Sequence, residues 1–398
     1  MISGGGTGGH VYPMLAVVEA LKRCPEPCPE PFVPGAKGPG ACRRAVEGLQ
    51  VASCKFLYVG GRGGVEEEIV SREGLPFMAI STGALRGLVP WTVAGNLFKM
   101  IAGFVQSLGI VRDFSPDVVL VTGGYVCAPV AVAAWLSRAP LLVLLPDLEP
   151  GLAIRALSRL ATRVAVSFQH SAKYFAKSKV VTAGYPVRAE FFVADRAEAR
   201  RAFGLEEGLK TITVFGGSHG AHSINLALSE CLERLLEVCQ VIHICGHLDA
   251  KWVIERRAQL PDRLRNRYRA YSYLHEEMPS ALAAADLAVA RAGAATLGEF
   301  PALGLPSILV PYPYAGQHQE LNADYLSSRG AAVKIADADL NKKLLPMILS
   351  LLSGDALAKM SDRVRALAQP QAAQCVAEEL RQIVSTNTPV SVDGNCRP

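Results

Sequence analysis

Two glycine-rich segments constrain this chain more than any other feature: residues 4–10 (GGGTGGH) near the start and residues 216–221 (GGSHGA) past the middle. Each is followed by a helical pattern. After the first, Val11, Leu15, Val18 and Leu21 recur at helical spacing, with Pro13 tolerated in the first turn. After the second, Ile224, Leu228, Leu232 and Leu235 do the same, and the strand-like run 211–215 leads into it. A glycine-rich turn between strand and helix belongs to βα units. Strand-like runs at 56–59, 117–122 and 141–145 alternate with helical segments at 128–136 and 151–160. A second series follows at 211–215, 240–245, 270–274, 287–290 and 307–310. The expected fold class is therefore α/β, with two Rossmann-like halves, each built on a parallel sheet.

The length of 398 residues suits two domains, and with half the residues apolar and 19% charged there is enough material for two cores. Residues 184–188 (GYPVR) and the charged segment 195–201 form the junction, which places a cleft there. The boundaries read as 1–185, 186–371, a C-terminal helix at 372–384 and a disordered tail at 385–398. Residues 24–54 (beginning CPEPCPEPFVPGAKGPGAC) are too rich in proline and glycine for an element interior and read as an irregular insertion. Four of the ten cysteines (Cys24, Cys28, Cys42, Cys54) lie in it, but their intervals and the lack of a nearby histidine do not make a zinc site. No metal site is expected.

Lysine plus arginine exceed acidic residues by 41 to 36, and this surplus is not gathered into a nucleic-acid module. The longest apolar stretch, 126–145, is broken by Pro129, Arg138 and Pro140 and does not make a spanning helix. The first residues carry no basic region or apolar core of a signal peptide, so the chain reads as cytoplasmic.

Glycines ahead of a helix leave backbone N–H groups open to a ligand, and the helix dipole favours negative charge there. Neither segment is a GxGxxG dinucleotide fingerprint or a Walker loop, so each is equally explained as a tight turn. His10 at the end of the first loop is a candidate general base, against the ordinary reading of a structural histidine. Ser218 in the second loop is placed to donate to a phosphate oxygen. Residues 291–299 (RAGAATLGE) put Glu299 in the first turn of a helix, where it either complements the dipole or meets a ligand. Gln319 and Asn322 fall three apart, on one helical face, with amides suited to sugar hydroxyls. Two glycine loops in two halves suggest a phosphate-bearing donor on one side of a cleft and an acceptor on the other.

GGGTGGH, TGGYVCAP, AGYPVR, GGSHGA, RAGAATLGE and HQELNA occur together in the order seen in the MurG family of peptidoglycan glycosyltransferases, and the resemblance spans about residues 2–335. It implies the GT-B fold, two Rossmann-like domains facing a central cleft. It also implies inverting transfer of GlcNAc from UDP-GlcNAc to undecaprenyl-diphospho-MurNAc-pentapeptide, at the cytoplasmic face of the cell membrane. Carried over by position, Thr7, Gly8 and Gly9 belong to the first loop and His10 is the base. Arg188 and Ser218 lie near the diphosphate, the Leu274 backbone meets uracil, and Ala294, Ala295, Thr296, Leu297, Gly298 and Glu299 surround the nucleotide, Glu299 on the ribose. Gln319 and Asn322 then hold the GlcNAc.

Three departures stand out. Asp147 occupies the place of an asparagine that the family uses at the site, and a carboxylate accepts from hydroxyls but repels a diphosphate. Only Met1 to Ser3 precede the first loop, where the family has a full first strand, so either the start is misplaced or the N-terminal domain is weakened. The insertion 24–54 has no function in the resemblance. No cofactor is obligatory in the implied mechanism, although a divalent cation is compatible as a stimulant. The rival readings are another GT-B transferase acting on a lipid acceptor, and a non-catalytic nucleotide-sugar binding protein. For the membrane, residues 85–104 combine Leu85, Leu88, Val89, Trp91, Leu97, Phe98, Met100 and Phe104 with Arg86 and Lys99. That pattern fits either an anionic membrane surface or a helix packed on the sheet.

Overall fold

The structure, a computed structural model, describes residues 1–6, 8–23, 54–83, 90–217, 220–313 and 318–387, the side chains of 90–94 and 387 excepted. Two all-parallel sheets form it. The first holds seven strands, β1 (Ile2–Ser3), β2 (Tyr58–Gly61), β3 (Phe77–Ile80), β4 (Val119–Val121), β5 (Leu141–Leu145), β6 (Arg163–Val166) and β7 (Val180–Thr182), in the order β3-β2-β1-β4-β5-β6-β7. The second holds six, β8 (Lys210–Phe215), β9 (Cys239–Ile244), β10 (Tyr268–Tyr271), β11 (Leu287–Ala290), β12 (Ser307–Leu309) and β13 (Ala332–Lys334), in the order β10-β9-β8-β11-β12-β13. Strands covered by helices on both faces read as continuous apolar runs, and every residue of the LLVLL strand β5 is buried. This is the GT-B arrangement.

Element ends moved by a residue or two from expectation. The strand expected at 270–274 ends at Tyr271, because its partner β9 ends at Ile244 and the chain then turns at Gly246, whose φ is +84°. Leu274 thus lies beyond the strand, buried beside Ile242 and Ile244.

The short start still builds a strand in the middle of the first sheet. β1 has two residues yet sits between β2 and β4, with Ile2 in register with Tyr58 on one side and Leu120 on the other. Its donors are satisfied on both sides: the Ile2 N–H donates to Leu57 O at 2.9 Å, and the Met1 ammonium donates to Val118 O at 3.0 Å. Burial pushes that ammonium down to about 6.

Strand order reverses beside β1 in the first sheet and beside β8 in the second. The crevice beyond the carboxyl ends at such a reversal is where open α/β sheets hold ligands. The described loop residues there are 4–6 and 123–124 in the first half, and 216–217, 220–221 and 291–295 in the second.

The chain crosses between the halves twice, at adjacent points. The Tyr185 N–H donates to Gln369 Oε1 at 2.9 Å, and Gly184, at φ +90°, lies so close to Ala372 that a Cβ would stand 2.8 Å from the alanine's. The last helix, Ala372–Asn387, then packs Val376, Ala377, Leu380 and Ile383 against Val11, Met14, Leu15 and Val18 of α1 (Gly8–Arg23). A segment that follows the second half in sequence therefore completes the core of the first. It also turns residues 385–387, expected as tail, into helix. The insertion 24–54 lies outside the described residues apart from Cys54, which is exposed.

Candidate active site

The first loop is held from below and beside. Tyr58 Oη donates to Gly4 O at 2.7 Å, and the buried Glu66 on α2 (Val65–Arg72) accepts from Gly61 N at 2.9 Å and from Gly6 N at 3.3 Å. One N–H of the glycine loop is thus already taken by a carboxylate 60 residues away in sequence. Gly124, at φ +81°, abuts the same loop, where a Cβ would stand 2.6 Å from Gly5 O. Only glycine suits that close approach.

His10 is the third residue of α1, and its backbone carbonyl accepts from Thr122 Oγ1 at 2.9 Å, which fastens the helix start to the end of β4. Its Nδ1 is buried and has no partner among the described residues. Burial pulls the imidazole below its ordinary value, Asp147 pulls it back up, and His318 from the other half lowers it further. A neutral imidazole is the form a general base requires. His318 opens the helix His318–Ser327, and its Nδ1 is likewise buried and unpartnered among the described residues. In the sequence His318 stands beside Gln319 with no feature that marks it as a site residue.

Asp147 and Asn322 meet across the cleft. Asn322 is buried, and its Nδ2 donates to Ala292 O at 3.0 Å and to Asp147 Oδ1 at 3.3 Å, while its Oδ1 has no partner among the described residues. The amide nitrogen of Asn322 is thus engaged inside the protein, and its oxygen remains to accept. Gln319 Oε1 accepts from Tyr312 N at 2.9 Å.

The second loop lies over a fixed polar network. Gly220, at φ +77°, approaches Cys245 O so closely that a Cβ would stand 2.3 Å away. In the helix His222–Leu236 behind the loop, buried Asn225 donates to Cys245 O at 2.8 Å and to Asp249 Oδ2 at 2.7 Å, and its Oδ1 lies 2.9 Å from His243 Nε2. Burial drives His243 down to about 3, so this ring is neutral and structural. Arg291 donates to Asp337 Oδ1 at 2.5 Å and to Ser223 Oγ at 2.8 Å, tying the loop after β11 to that same helix.

Within the segment 294–299, Thr296 Oγ1 donates to Gly293 O at 2.8 Å, Leu297 is core, and Gly298 packs on Tyr185, so these three leave only backbone for a ligand. Ala294 and Ala295 precede the helix Thr296–Leu303 and offer backbone as well. Glu299 alone points a functional group inward. Burial raises its carboxyl to about 7, with Arg188 opposing the rise and Glu190 adding to it. Arg188 pairs with Glu190 Oε1 at 2.6 Å and stacks its guanidinium 4.5 Å from the Tyr12 ring of α1.

Gly8 and Gly9 form the first turn of α1, and Thr7 and Ser218 lie outside the described residues. The described residues hold no group of three or more metal-ligating side chains placed to bind an ion. The structure thus brings His10, Asp147, His318 and Asn322 together on one part of the cleft, and Arg188, Glu299 and Tyr12 on another.

Residues 45–166 match the Glycosyltransferase family 28 N-terminal domain and residues 211–376 its C-terminal domain. A protein of Roseiflexus sp. (strain RS-1) is 42% identical, covering 96% of this chain and 94% of its own length; one of Listeria monocytogenes is 37% identical, covering 96% and 99%. Both carry the name UDP-N-acetylglucosamine--N-acetylmuramyl-(pentapeptide) pyrophosphoryl-undecaprenol N-acetylglucosamine transferase. The crystal structure of Acinetobacter baumannii MurG superposes with a TM-score of 0.67 at 26% identity, covering 96% of this chain and 98% of that one. A UDP-GlcNAc 2-epimerase from Neisseria meningitidis, at 12% identity and a TM-score of 0.64, shares the fold alone. With both halves matched in order and relatives alike over nearly their whole length, this chain belongs to the MurG branch of glycosyltransferase family 28.

Proposed function

We propose that this chain is the N-acetylglucosaminyltransferase of peptidoglycan synthesis, moving GlcNAc from UDP-GlcNAc to the C4 hydroxyl of MurNAc-pentapeptide on undecaprenyl diphosphate. The observation that carries the reading is the pairing of two loops at two sheet reversals across one cleft, with an imidazole whose Nδ1 has no partner among the described residues on one wall and an arginine beside a half-buried carboxyl on the other. His10 takes the proton from the acceptor hydroxyl as it attacks C1 of GlcNAc, and UDP leaves from the opposite face, inverting the anomeric centre. Asp147 favours the imidazolium as the proton arrives. Arg188, the Ser218 loop and the start of the helix behind it meet the charge growing on the diphosphate. Glu299 accepts from a ribose hydroxyl, the Leu274 backbone meets uracil, and Gln319 with Asn322 Oδ1 holds the sugar. No resident metal is required in this mechanism, and a divalent cation is at most a stimulant at the diphosphate.

The acceptor's polyprenyl chain stays in the bilayer, so the enzyme works at the cytoplasmic membrane face as a peripheral protein. Among the described residues no single helix is long and apolar enough to cross a membrane. In α3 (Pro90–Phe114), Leu97, Phe98, Ile101 and Val105 are exposed by 52%, 74%, 52% and 62%, on one helical stripe beside Lys99, whereas Phe104 packs on the sheet and Met100 is half-buried. Leu85, Arg86, Leu88, Val89 and Trp91 fall where no side chain is described. An exposed apolar stripe beside a cation suits anionic headgroups. The deciding experiment is transfer from radiolabelled UDP-GlcNAc to a lipid-linked MurNAc-pentapeptide. UDP binding without product would replace the reading with a nucleotide-sugar binding protein, and product only on diacylglycerol with another lipid glycosyltransferase.

A further inference from the structure

Tyr12 occupies a position that none of the site residues described above explains. It lies on α1, two residues after His10, and its ring covers Gly8 so closely that a methyl there would meet it at 3.1 Å. The Arg188 guanidinium lies 4.5 Å from the centre of this ring and 5.4 Å from that of Phe191, so it is held between two aromatic rings. Glu190 fixes one end of the guanidinium at 2.6 Å, and Arg188 Nε is buried with no partner among the described residues. The Tyr12 hydroxyl interacts electrostatically with Tyr273, the residue before Leu274. Tyr273 in turn packs against His275 with ring centres 4.3 Å apart and stacks on His247 at 5.8 Å. One side chain of the first domain thus touches the acceptor loop, the donor-side arginine and the segment after β10.

We propose that Tyr12 is a positioning residue for Arg188, whose ring sets the guanidinium where it meets the donor diphosphate, so that a first-domain residue completes the nucleotide site of the second. The proposal rests on the transfer reaction proposed above for its readout. An aromatic face draws the planar guanidinium electrostatically, and the ring alone suffices; the hydroxyl is not part of this interaction. An arginine carried by the crossover between domains would otherwise sample many rotamers, at a cost in affinity when the donor orders it.

The experiment measures UDP affinity by calorimetry and steady-state KM for UDP-GlcNAc and for the lipid-linked acceptor, in wild type, Tyr12→Phe, Tyr12→Leu and Tyr12→Met. Methionine fills comparable space should leucine impair folding. The expected result is a rise of about threefold to thirtyfold in UDP Kd and donor KM for Tyr12→Leu and Tyr12→Met, the range of one cation–π contact. Acceptor KM stays within about twofold, and Tyr12→Phe behaves as wild type. In an Arg188→Ala background, replacing Tyr12 has no further effect on UDP Kd, because the partner is gone. Unchanged UDP affinity in folded Tyr12→Met would overturn the proposal, as would an equal loss in Tyr12→Phe or a loss that persists without Arg188. A wild-type protein that binds UDP but transfers nothing refutes the transfer reaction alone, since the UDP affinities still decide the role of Tyr12.

Discussion

Replacing Glu299 by glutamine should make the free protein more stable and the enzyme worse. Burial holds this carboxyl at about 7 instead of 4.5, the direction expected when charge is forced into a poorly hydrated place. The folded state therefore binds more protons than the unfolded state between those two values, and stability falls as pH rises through that window. Above it the ionised group costs the fold up to about 3 kcal/mol, from about 1.4 kcal/mol for each tenfold change in proton affinity, an order-of-magnitude ceiling. Glutamine keeps the shape and cannot ionise. The variant and wild type should melt alike at pH 4 and below, and the variant should melt about 5–10 °C higher at pH 8.5. Ribose hydroxyls that donate to the carboxylate stabilise its charged form, so UDP binding near pH 7 should release a proton in wild type and none in the variant. Donor binding should weaken by about 1–3 kcal/mol. Calorimetric melts across pH, and UDP titrations in buffers of different ionisation enthalpy, measure both effects. A melting difference independent of pH would refute the burial argument, and proton-neutral UDP binding in wild type would refute the ribose contact.

His10→Ala should lower single-turnover transfer by about 100-fold or more while UDP affinity stays the same, as loss of a base predicts; an unchanged chemical step would remove His10 from catalysis. Asp147→Asn removes the carboxylate that raises the His10 imidazole, so the acidic limb of the kcat profile should move to lower pH, and a limb that stays in place would disconnect the pair. Gly220→Ala puts a methyl against Cys245 O at a φ of +77°, and should cost about 1–3 kcal/mol of stability with a loss of UDP affinity, checked by denaturant melts and calorimetry. Changing Phe98, Ile101 and Val105 together to serine should weaken sedimentation with anionic vesicles and transfer to long-chain acceptor, yet spare UDP affinity; vesicle binding at the wild-type level would place the membrane contact elsewhere.

The sequence alone determined the parts of this protein that rest on local pattern. Alternating apolar runs and helical spacings gave two βα series, since a parallel strand or an amphipathic helix leaves its period in consecutive residues. The glycine loops announced the sheet reversals because each needs a backbone that passes another without a Cβ, as Gly124 does at Gly5 and Gly220 at Cys245. Glu299 was legible as a carboxylate in a first helical turn. What its sequence could not carry was the choice between helix-dipole partner and buried acid, which is set by surroundings drawn from the crossover at Arg188 and Glu190. Glu66 shows the same limit: among three consecutive glutamates it reads as a solvated turn, although it lies three and four residues before the buried Ile69 and Val70, and only folding brings its carboxylate to Gly6. Asn322 looked free on a helical face until Asp147, 175 residues earlier, was brought against it. The final helix followed the second half in sequence and packed into the first, because the apolar face of α1 needed cover and the two crossings lie side by side. Periodicity records what an element turns toward its neighbours. Which neighbours those are depends on packing between segments hundreds of residues apart, and that packing fixed which polar groups of the cleft stayed free for a ligand.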